Sequence, residues 1–175
     1  RPGFHAHLLQ RAAAGAVVLP NRAAVPVDRA AGLSDRSAGL SDRAARDVQV
    51  NAFEVSAQES ATLAIDAFDR VFVAWESRRQ EGGNYGVYGR FLDLAGNPLS
   101  DELRINATTN NAQWRPAVCA DGLGGVIVVW ESIGQDGDMG GIVARRLDGA
   151  TLTASPEIAV NRTARGHQSE ASAAA

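Results

Sequence analysis

The residues of this chain that could do chemistry lie in two short motifs, of which the first is Asp136-Gly137-Asp138. It places two carboxylates on a tight, glycine-rich turn, which is how an oxygen-ligand calcium site can begin. Calcium takes about six to eight oxygens, and only Gln135 and backbone carbonyls lie nearby in the sequence. The motif therefore makes Asp136 and Asp138 a calcium candidate, with a solvated turn as the favoured alternative, and no other cofactor is predicted.

The second motif, Trp-Glu-Ser, occurs at 75–77 and again at 130–132. It could form an exposed aromatic and carboxylate platform for sugars, or the Trp could pack in a core while Glu and Ser begin a turn. Its duplication favours the packing role, because a catalytic residue normally occurs once. His5, His7 and His167 lack the spacing of zinc ligands or of a Ser-His-Asp site. We therefore predict no catalytic residue.

Both motifs belong to a tandem repeat of 55 residues. Residues 51–105 align with residues 106–160 without a gap, and 19 of the 55 positions are identical. A third copy begins at Asn161 and continues in register as far as Gln168. Units of such arrays bury their apolar faces against their neighbours, so the repeat predicts a modular architecture.

The repeat divides the chain into four segments. We expect residues 47–105 to form a first repeat, residues 106–160 a second, and residues 161–175 the truncated start of a third. Residues 1–46 are rich in Ala, Arg, Gly and Pro and hold few large apolar side chains. Too little apolar surface could be buried there to offset the entropy of ordering, which predicts a flexible leader.

Hydrophobic periodicity predicts four β-strands in each repeat. Residues 71–75 and 126–130 are solid apolar runs rich in β-branched residues, as in a central strand covered on both faces. The other predicted strands are 61–66, 87–93 and 103–105 in the first repeat, and 116–121, 142–148 and 158–160 in the second. Such repeats are typical of β-propeller blades, of which a ring holds about 4 to 8. We predict an all-β, incomplete propeller of two four-stranded repeats plus the start of a third.

Two further recurring features are predicted to be structural. The Asn that opens each copy ends a strand and is expected to bind a turn through its side chain. Arg90 recurs as Arg145 in register with Asp93 and Asp148, and ion pairs are the simplest account of these residues.

Charge and composition exclude several classes of protein. Residues 47–175 hold ten Arg against seventeen Asp and Glu, and an acidic array does not suit nucleic-acid binding. No run of about 18 apolar residues occurs, so no membrane span is predicted. The single Cys119 cannot form an intrachain disulfide. All seventeen basic residues are Arg and Ala is abundant, which favours a bacterial source.

Residues 47–175 resemble a tandem repeat of large secreted or surface-attached bacterial proteins that is regarded as propeller-like. The resemblance lies in VVWES at 128–132, ARRLD at 144–148 and VN at 160–161. A more distant similarity is to the Asp-box blades of sialidase-type propellers, although the box itself, Ser-x-Asp-x-Gly-x-Thr-x-Trp, is lacking. The resemblance implies an extracellular or cell-surface location and brings no chemistry with it.

The leading interpretation is a non-enzymatic, extracellular or cell-surface β-repeat module for scaffolding or binding. Ligand contacts are predicted in the loops after the two Trp-containing strands, at Arg78, Arg79, Gln80, Gln135 and Asp136. Predicted partners are further copies of the repeat, in a longer chain or a homo-oligomer, and a glycan or protein ligand. The alternative is a fragment of a glycan-active, sialidase-like propeller enzyme whose catalytic residues lie outside this chain.

Overall fold

The computed structural model describes residues 5–7, 47–82 and 84–174, which form strands and loops only. The strands are β1 (His5–His7), β2 (Asp47–Gln49), β3 (Gln58–Ile65), β4 (Val71–Arg78), β5 (Tyr85–Leu92), β6 (Leu103–Arg104), β7 (Gln113–Ala120), β8 (Gly125–Ile133), β9 (Gly140–Asp148) and β10 (Ile158–Ala159). The described part of the chain has no helix long and apolar enough to cross a membrane.

Each repeat forms one four-stranded antiparallel sheet. Sheet 1 has the order β3-β4-β5-β6 and sheet 2 has the order β7-β8-β9-β10. The solid apolar runs form β4 and β8, each hydrogen-bonded to a strand on both sides. The predicted all-β class and the four strands per repeat are therefore confirmed.

The first strand of each sheet carries a β-bulge at the same repeat position. The pairing register of β3 shifts between Glu59 and Thr62, and that of β7 shifts between residues 114 and 117. Ser60 and Arg115, inside these bulges, have φ angles of 52° and 49°, and Glu170 of the third copy has a φ of 60°. A bulge frees one backbone N–H from the strand ladder, which leaves it available to a neighbouring sheet.

The predicted leader contributes one described strand, β1, which pairs with β2 just before the aligned copy that begins at Asn51. β1 pairs antiparallel with β2, and His5 lies opposite Gln49. In sheet 1, Tyr88 of β5 lies opposite Arg104 of β6, which is 55 residues after Gln49. β2 thus occupies the repeat position of β6, while β1 is supplied from a more distant part of the chain than β5 is. Residues 1–4 and 8–46 lie outside the described residues, and their flexibility stays a prediction.

The main core lies between the two sheets. It comprises Phe72, Ala74, Val87, Phe91 and Ile105 from the first repeat, and Val118, Val126, Val128, Trp130, Val143 and Leu147 from the second. A second cluster on the opposite side of sheet 1 comprises Val50, Val71, Val73, Trp75, Tyr88 and Leu92. Trp75 and Trp130 are fully buried, and burying an aromatic side chain is worth about 4 to 6 kcal/mol in transfer free energy. The packing role predicted for Trp is confirmed.

Position 89 is glycine because the ring of Phe72 leaves no room there for a side chain. A Cβ at position 89 would clash with the ring of Phe72, which also packs on Phe91 with 4.6 Å between ring centroids. The equivalent positions in the second repeat hold the smaller Ile127 and the larger Ala144. The first repeat therefore pairs a large side chain with Gly at this place, and the second repeat pairs Ile with Ala.

Replacing Gly89 by Ala should lower the free energy of unfolding by about 1 to 3 kcal/mol, because the added methyl overpacks the core. Adding Phe72→Ile to the same chain should recover part of this loss, because it recreates the pair of the second repeat. Urea denaturation of the wild type, both single variants and the double variant measures the coupling. Strictly additive losses would contradict this account.

Candidate functional site

The Trp-Glu-Ser segments lie inside strands and do not begin turns, so that part of the prediction is wrong. β4 continues to Arg78 and β8 to Ile133. Glu76 is 7% exposed and Glu131 is fully buried. A buried carboxylate is costly unless it is hydrogen-bonded, so the partners of these two side chains decide their role.

Both glutamates accept a backbone N–H from the repeat that follows. Glu76 Oε2 accepts from the N–H of Arg115 at 2.8 Å, and Glu131 Oε1 accepts from the N–H of Glu170 at 2.7 Å. The two donors are the residues of positive φ in the β-bulge and at its equivalent in the third copy. The Glu of Trp-Glu-Ser is therefore a connector between repeats, which explains its identity in both copies without catalysis.

The Asn that opens each copy binds the turn that follows it, as predicted. The Nδ2 groups of Asn51, Asn106 and Asn161 donate to the carbonyl two residues later at 2.8, 2.9 and 2.9 Å. Asn106 and Asn161 also accept a backbone N–H from β5 and β9, each at 2.8 Å. The Asn thus ties the end of one sheet to the start of the next.

Two of the predicted ligand-contact residues are occupied by the scaffold. Gln80 donates to a carboxylate oxygen of Glu102 at 2.7 Å, and Gln135 donates to Glu157 at 2.9 Å. The two glutamates also accept backbone N–H groups from the loop that opens the same repeat. These glutamines therefore hold loops together, whereas Arg78 and Arg79 are exposed.

The calcium candidate is a hydrogen-bonded hairpin. Asp136 accepts from the N–H of Asp138 at 3.3 Å and from Nδ2 of Asn161 at 3.0 Å. In the first repeat, Glu81 takes its place and accepts from Asn106 Nδ2 at 3.1 Å. The ranges described in the structure hold no group of three or more His, Cys, Asp or Glu suited to a metal ion. Calcium binding by Asp136 and Asp138 stays a prediction.

Arg90 and Arg145 bind carbonyl oxygens in place of the predicted ion pairs. Arg90 donates to Ser100 at 2.8 Å and to Val50 at 3.0 Å. Arg145 donates to Ile105 at 2.7 Å. Ile105 ends the first repeat, so Arg145 of the second repeat connects adjacent repeats. Arg90 makes the equivalent bond to Val50, just before the aligned copy that begins at Asn51.

The recurring aspartates cap turns. Backbone N–H groups of the turns that they open donate to Asp66, Asp93, Asp121 and Asp148. The N–H groups of Thr151 and Ala150 lower the pKa of Asp148 to about 2. A carboxyl with so low a pKa is ionised near neutral pH and does not suit the role of a general acid.

A further group of side chains lies where sheet 1 meets the start of sheet 2, and we name it the junction cluster: Arg78, Tyr85, Trp114 and Arg115. The rings of Tyr85 and Trp114 are 6.3 Å apart between centroids and inclined at 47°. Arg78 Cζ lies 5.9 Å from the Tyr85 centroid, and Arg115 Cζ lies 5.8 Å from the Trp114 centroid. Two aromatic rings are thus flanked by two guanidiniums.

The junction cluster combines apolar faces with exposed positive charge. The Arg115 side chain is 57% exposed, and its Nη1 lies 3.4 Å from Oε1 of the buried Glu131. Arg78 is exposed, while Tyr85 and Trp114 are half-buried. Such a surface can stack on a flat ligand and pair with an anion. It contains no arrangement of a nucleophile and a base.

The sequence predictions found only Arg78 of the junction cluster. The counterparts of its four residues in the other repeat are Ile133, Gly140, Glu59 and Ser60. The sequence feature that could have indicated this cluster is the difference between the repeats. Each of its aromatic and Arg residues occurs at only one of two equivalent repeat positions.

The chain matches no protein-family model, no curated protein and no solved structure. Its site is therefore interpreted from the geometry above.

Truncating the connector should destabilise the fold. Glu76→Ala leaves the Arg115 N–H without its acceptor and should cost about 1 to 3 kcal/mol of unfolding free energy, whereas Glu76→Gln keeps an oxygen acceptor and should cost less. Glu59→Ala is the matched control, because Glu59 is exposed and lies directly opposite Glu76 in the sheet. Equal losses for Glu59→Ala and Glu76→Ala in urea denaturation would disprove the connector role.

Alkaline pH should destabilise the fold through Tyr88. Burial and the negative charge of Glu81 raise the pKa of Tyr88 to about 12, so the folded state favours the neutral phenol. This stabilisation is complete below about pH 10, the ordinary Tyr pKa, and is lost as the pH rises towards 12. Unfolding free energy measured across this range should lose this pH dependence in Tyr88→Phe and keep it in Tyr85→Phe. A loss of equal size in both variants would contradict the assignment.

Proposed function

We propose that this chain is a non-enzymatic β-repeat module that acts as a scaffold and binds a ligand at the junction cluster. One observation supports this above others. The acids that recur in both repeats bind backbone N–H groups of the fold itself, whereas the aromatic and Arg residues that occur once gather in one exposed place. The recurring acids thus serve architecture, and the exposed side chains of the junction cluster are available for recognition.

We also propose that the two sheets are blades of a β-propeller-type array in an extracellular or cell-surface protein. Support for the blades comes from the packing of sheet 2 on sheet 1 through one face of each. The third copy repeats the contact between adjacent repeats, because the N–H of Glu170 bonds to Glu131 as that of Arg115 bonds to Glu76. Further copies of the repeat are the natural partners of such an array. The acidic balance of residues 47–175 argues against nucleic acid.

The chemistry of the junction cluster favours an acidic glycan as the ligand. Half-buried Tyr85 and Trp114 offer ring surfaces on which a sugar face can stack. Arg78 and Arg115 offer guanidiniums that pair well with carboxylates, often through two hydrogen bonds. The exposed Arg79 adds a third positive charge in the adjacent loop.

Binding of acidic oligosaccharides tests the proposal directly. Trp114→Ala and Arg115→Ala should each weaken the affinity by at least about tenfold, or about 1.4 kcal/mol, in isothermal titration calorimetry. Leu123→Ala and Arg162→Ala alter one exposed apolar and one exposed basic residue elsewhere and serve as matched controls.

Three outcomes decide between the alternatives. Unchanged affinity in the Trp114 and Arg115 variants, or no binding of acidic or neutral glycans, would remove the junction cluster as a ligand site. Hydrolysis of the bound glycan by this chain would overturn the non-enzymatic role and would also contradict the alternative that the catalytic residues lie outside it. Retained folding of Arg78→Ala and Arg79→Ala, measured by circular dichroism, is expected because both side chains are exposed.

A further inference from the structure

Sheet 2 has an outer face, turned away from sheet 1, whose counterpart in sheet 1 is already an interface. The outer face comprises Ile127, Val129, Ile142, Ala144, Arg146 and Val160. The equivalent positions of the first repeat are Phe72, Ala74, Val87, Gly89, Phe91 and Ile105. Five of these six, all but Gly89, belong to the core between the sheets. The outer face of sheet 2 is therefore equivalent to the face of sheet 1 that packs against sheet 2.

The exposure of one repeat position shows the difference between the covered and the uncovered surface. Val50 and Ile105 are 0% exposed, whereas the equivalent Val160 is 53% exposed. The neighbouring Ile158 is 60% exposed. A large apolar residue is thus buried at the two places where a following repeat packs and is left open at the third.

One position on the outer face is polar where its counterpart is aromatic. Arg146 stands in place of Phe91. Its guanidinium pairs with Asp121 at 2.6 Å and with Asp148 at 3.4 Å. The charge of Arg146 is therefore already compensated within the sheet, so a partner need not neutralise it.

The start of the third copy lies along the edge of this face. The side chains of Gln58, Gln113 and Gln168 donate to the carbonyl three residues earlier at 3.2, 3.2 and 3.1 Å. The N–H of Glu170 bonds to Glu131 as that of Arg115 bonds to Glu76. Residues 161–174 therefore repeat the placement of the segment that leads into β7.

The start of the third copy lacks the strand that both of its counterparts have. β3 pairs with β4 and β7 pairs with β8, and Gln58 and Gln113 lie opposite Ser77 and Ser132. Within residues 161–174 the only β-bridge joins His167 to Gly140. The open side of residues 168–174 is therefore the place of a Val-rich strand that ends in Trp-Glu-Ser.

We propose that residues 168–174 and the outer face of sheet 2 form a docking site for one extended strand of this Val-rich Trp-Glu-Ser type, as a further copy of the repeat would supply it. The strand pairs antiparallel with residues 168–174, in the manner of β-strand addition. Its alternate Val, Val and Trp side chains pack on Ile127, Val129 and Val160, as those of β8 pack on sheet 1. The proposal rests on the repeat-array part of the proposed function and specifies the partner.

A peptide of residues 70–79, RVFVAWESRR, is a suitable probe because its three Arg and single Glu favour solubility. Fluorescence anisotropy of the labelled peptide should show saturable binding to the whole chain. Trp75→Ala within the peptide should weaken this binding by at least about tenfold, since the largest apolar contact is lost. Backbone amide resonances that shift should belong to residues 168–174 and the outer face.

Two variants of the chain test the two halves of the site. Ser172→Pro removes a backbone donor from the edge, and Val160→Ser removes an exposed apolar contact. Each should weaken peptide binding by at least about tenfold while leaving the melting temperature of the free chain unchanged. Val55→Ser is the matched control, because Val55 is 65% exposed and lies away from the outer face.

Each remaining outcome would overturn the proposal. No saturable peptide binding would do so, as would equal binding by the wild type, Ser172→Pro and Val160→Ser chains. Concentration-dependent dimerisation that Ser172→Pro abolishes would assign the edge to a second copy of this chain. Glycan binding at the junction cluster depends on Trp114 and Arg115, so failure of strand docking and failure of the proposed function can be told apart.

Discussion

The bond between a buried glutamate and a backbone N–H of the next repeat is the constraint on which this architecture depends. An ionised carboxylate without a partner costs several kcal/mol in a protein interior. Glu131 is fully buried, and its Oε1 accepts from the backbone N–H of residue 170 of the third copy as well as from the guanidinium of Arg115. Glu76 likewise accepts from the backbone N–H of Arg115. Each sheet is therefore completed by its successor, and stability is coupled along the array.

The same constraint explains which residues the two repeats share. Most shared residues bind backbone groups, whose positions do not change between copies. They include the Asn that opens each copy, the Arg that binds a preceding carbonyl, and the Glu of Trp-Glu-Ser, which binds the N–H in the bulge. Gly141 is shared for a related reason, because a Cβ there would lie 2.6 Å from an oxygen of Asp136. Core positions face other side chains instead, so they can vary in pairs, as Phe72 with Gly89 and Ile127 with Ala144 do.

Features with a local or periodic signal could be predicted from the sequence, and features that depend on distant contacts could not. The solid run at 126–130 gave a central strand, and the repeated Asn gave a turn. The strand at 5–7 had no such signal, because its partner lies about forty residues away and three residues carry no periodicity. The sequence predicts an ion pair for Arg90 because carbonyl acceptors cannot be read from the residue types around it. Trp114 was missed because it meets Tyr85 only across a repeat boundary.

A boundary between repeats is also where a rigid binding surface can arise without disturbing the array. The backbone of Arg115 is fixed by Glu76, and its side chain lies beside Glu131, so the guanidinium is placed by two neighbouring sheets. Binding of the proposed ligand would then cost little side-chain entropy, which raises affinity for a given contact area. The two aromatic rings come from different repeats and can change independently of the connectors. The side chains of the junction can therefore vary between repeats while the hydrogen bonds that join the sheets stay constant.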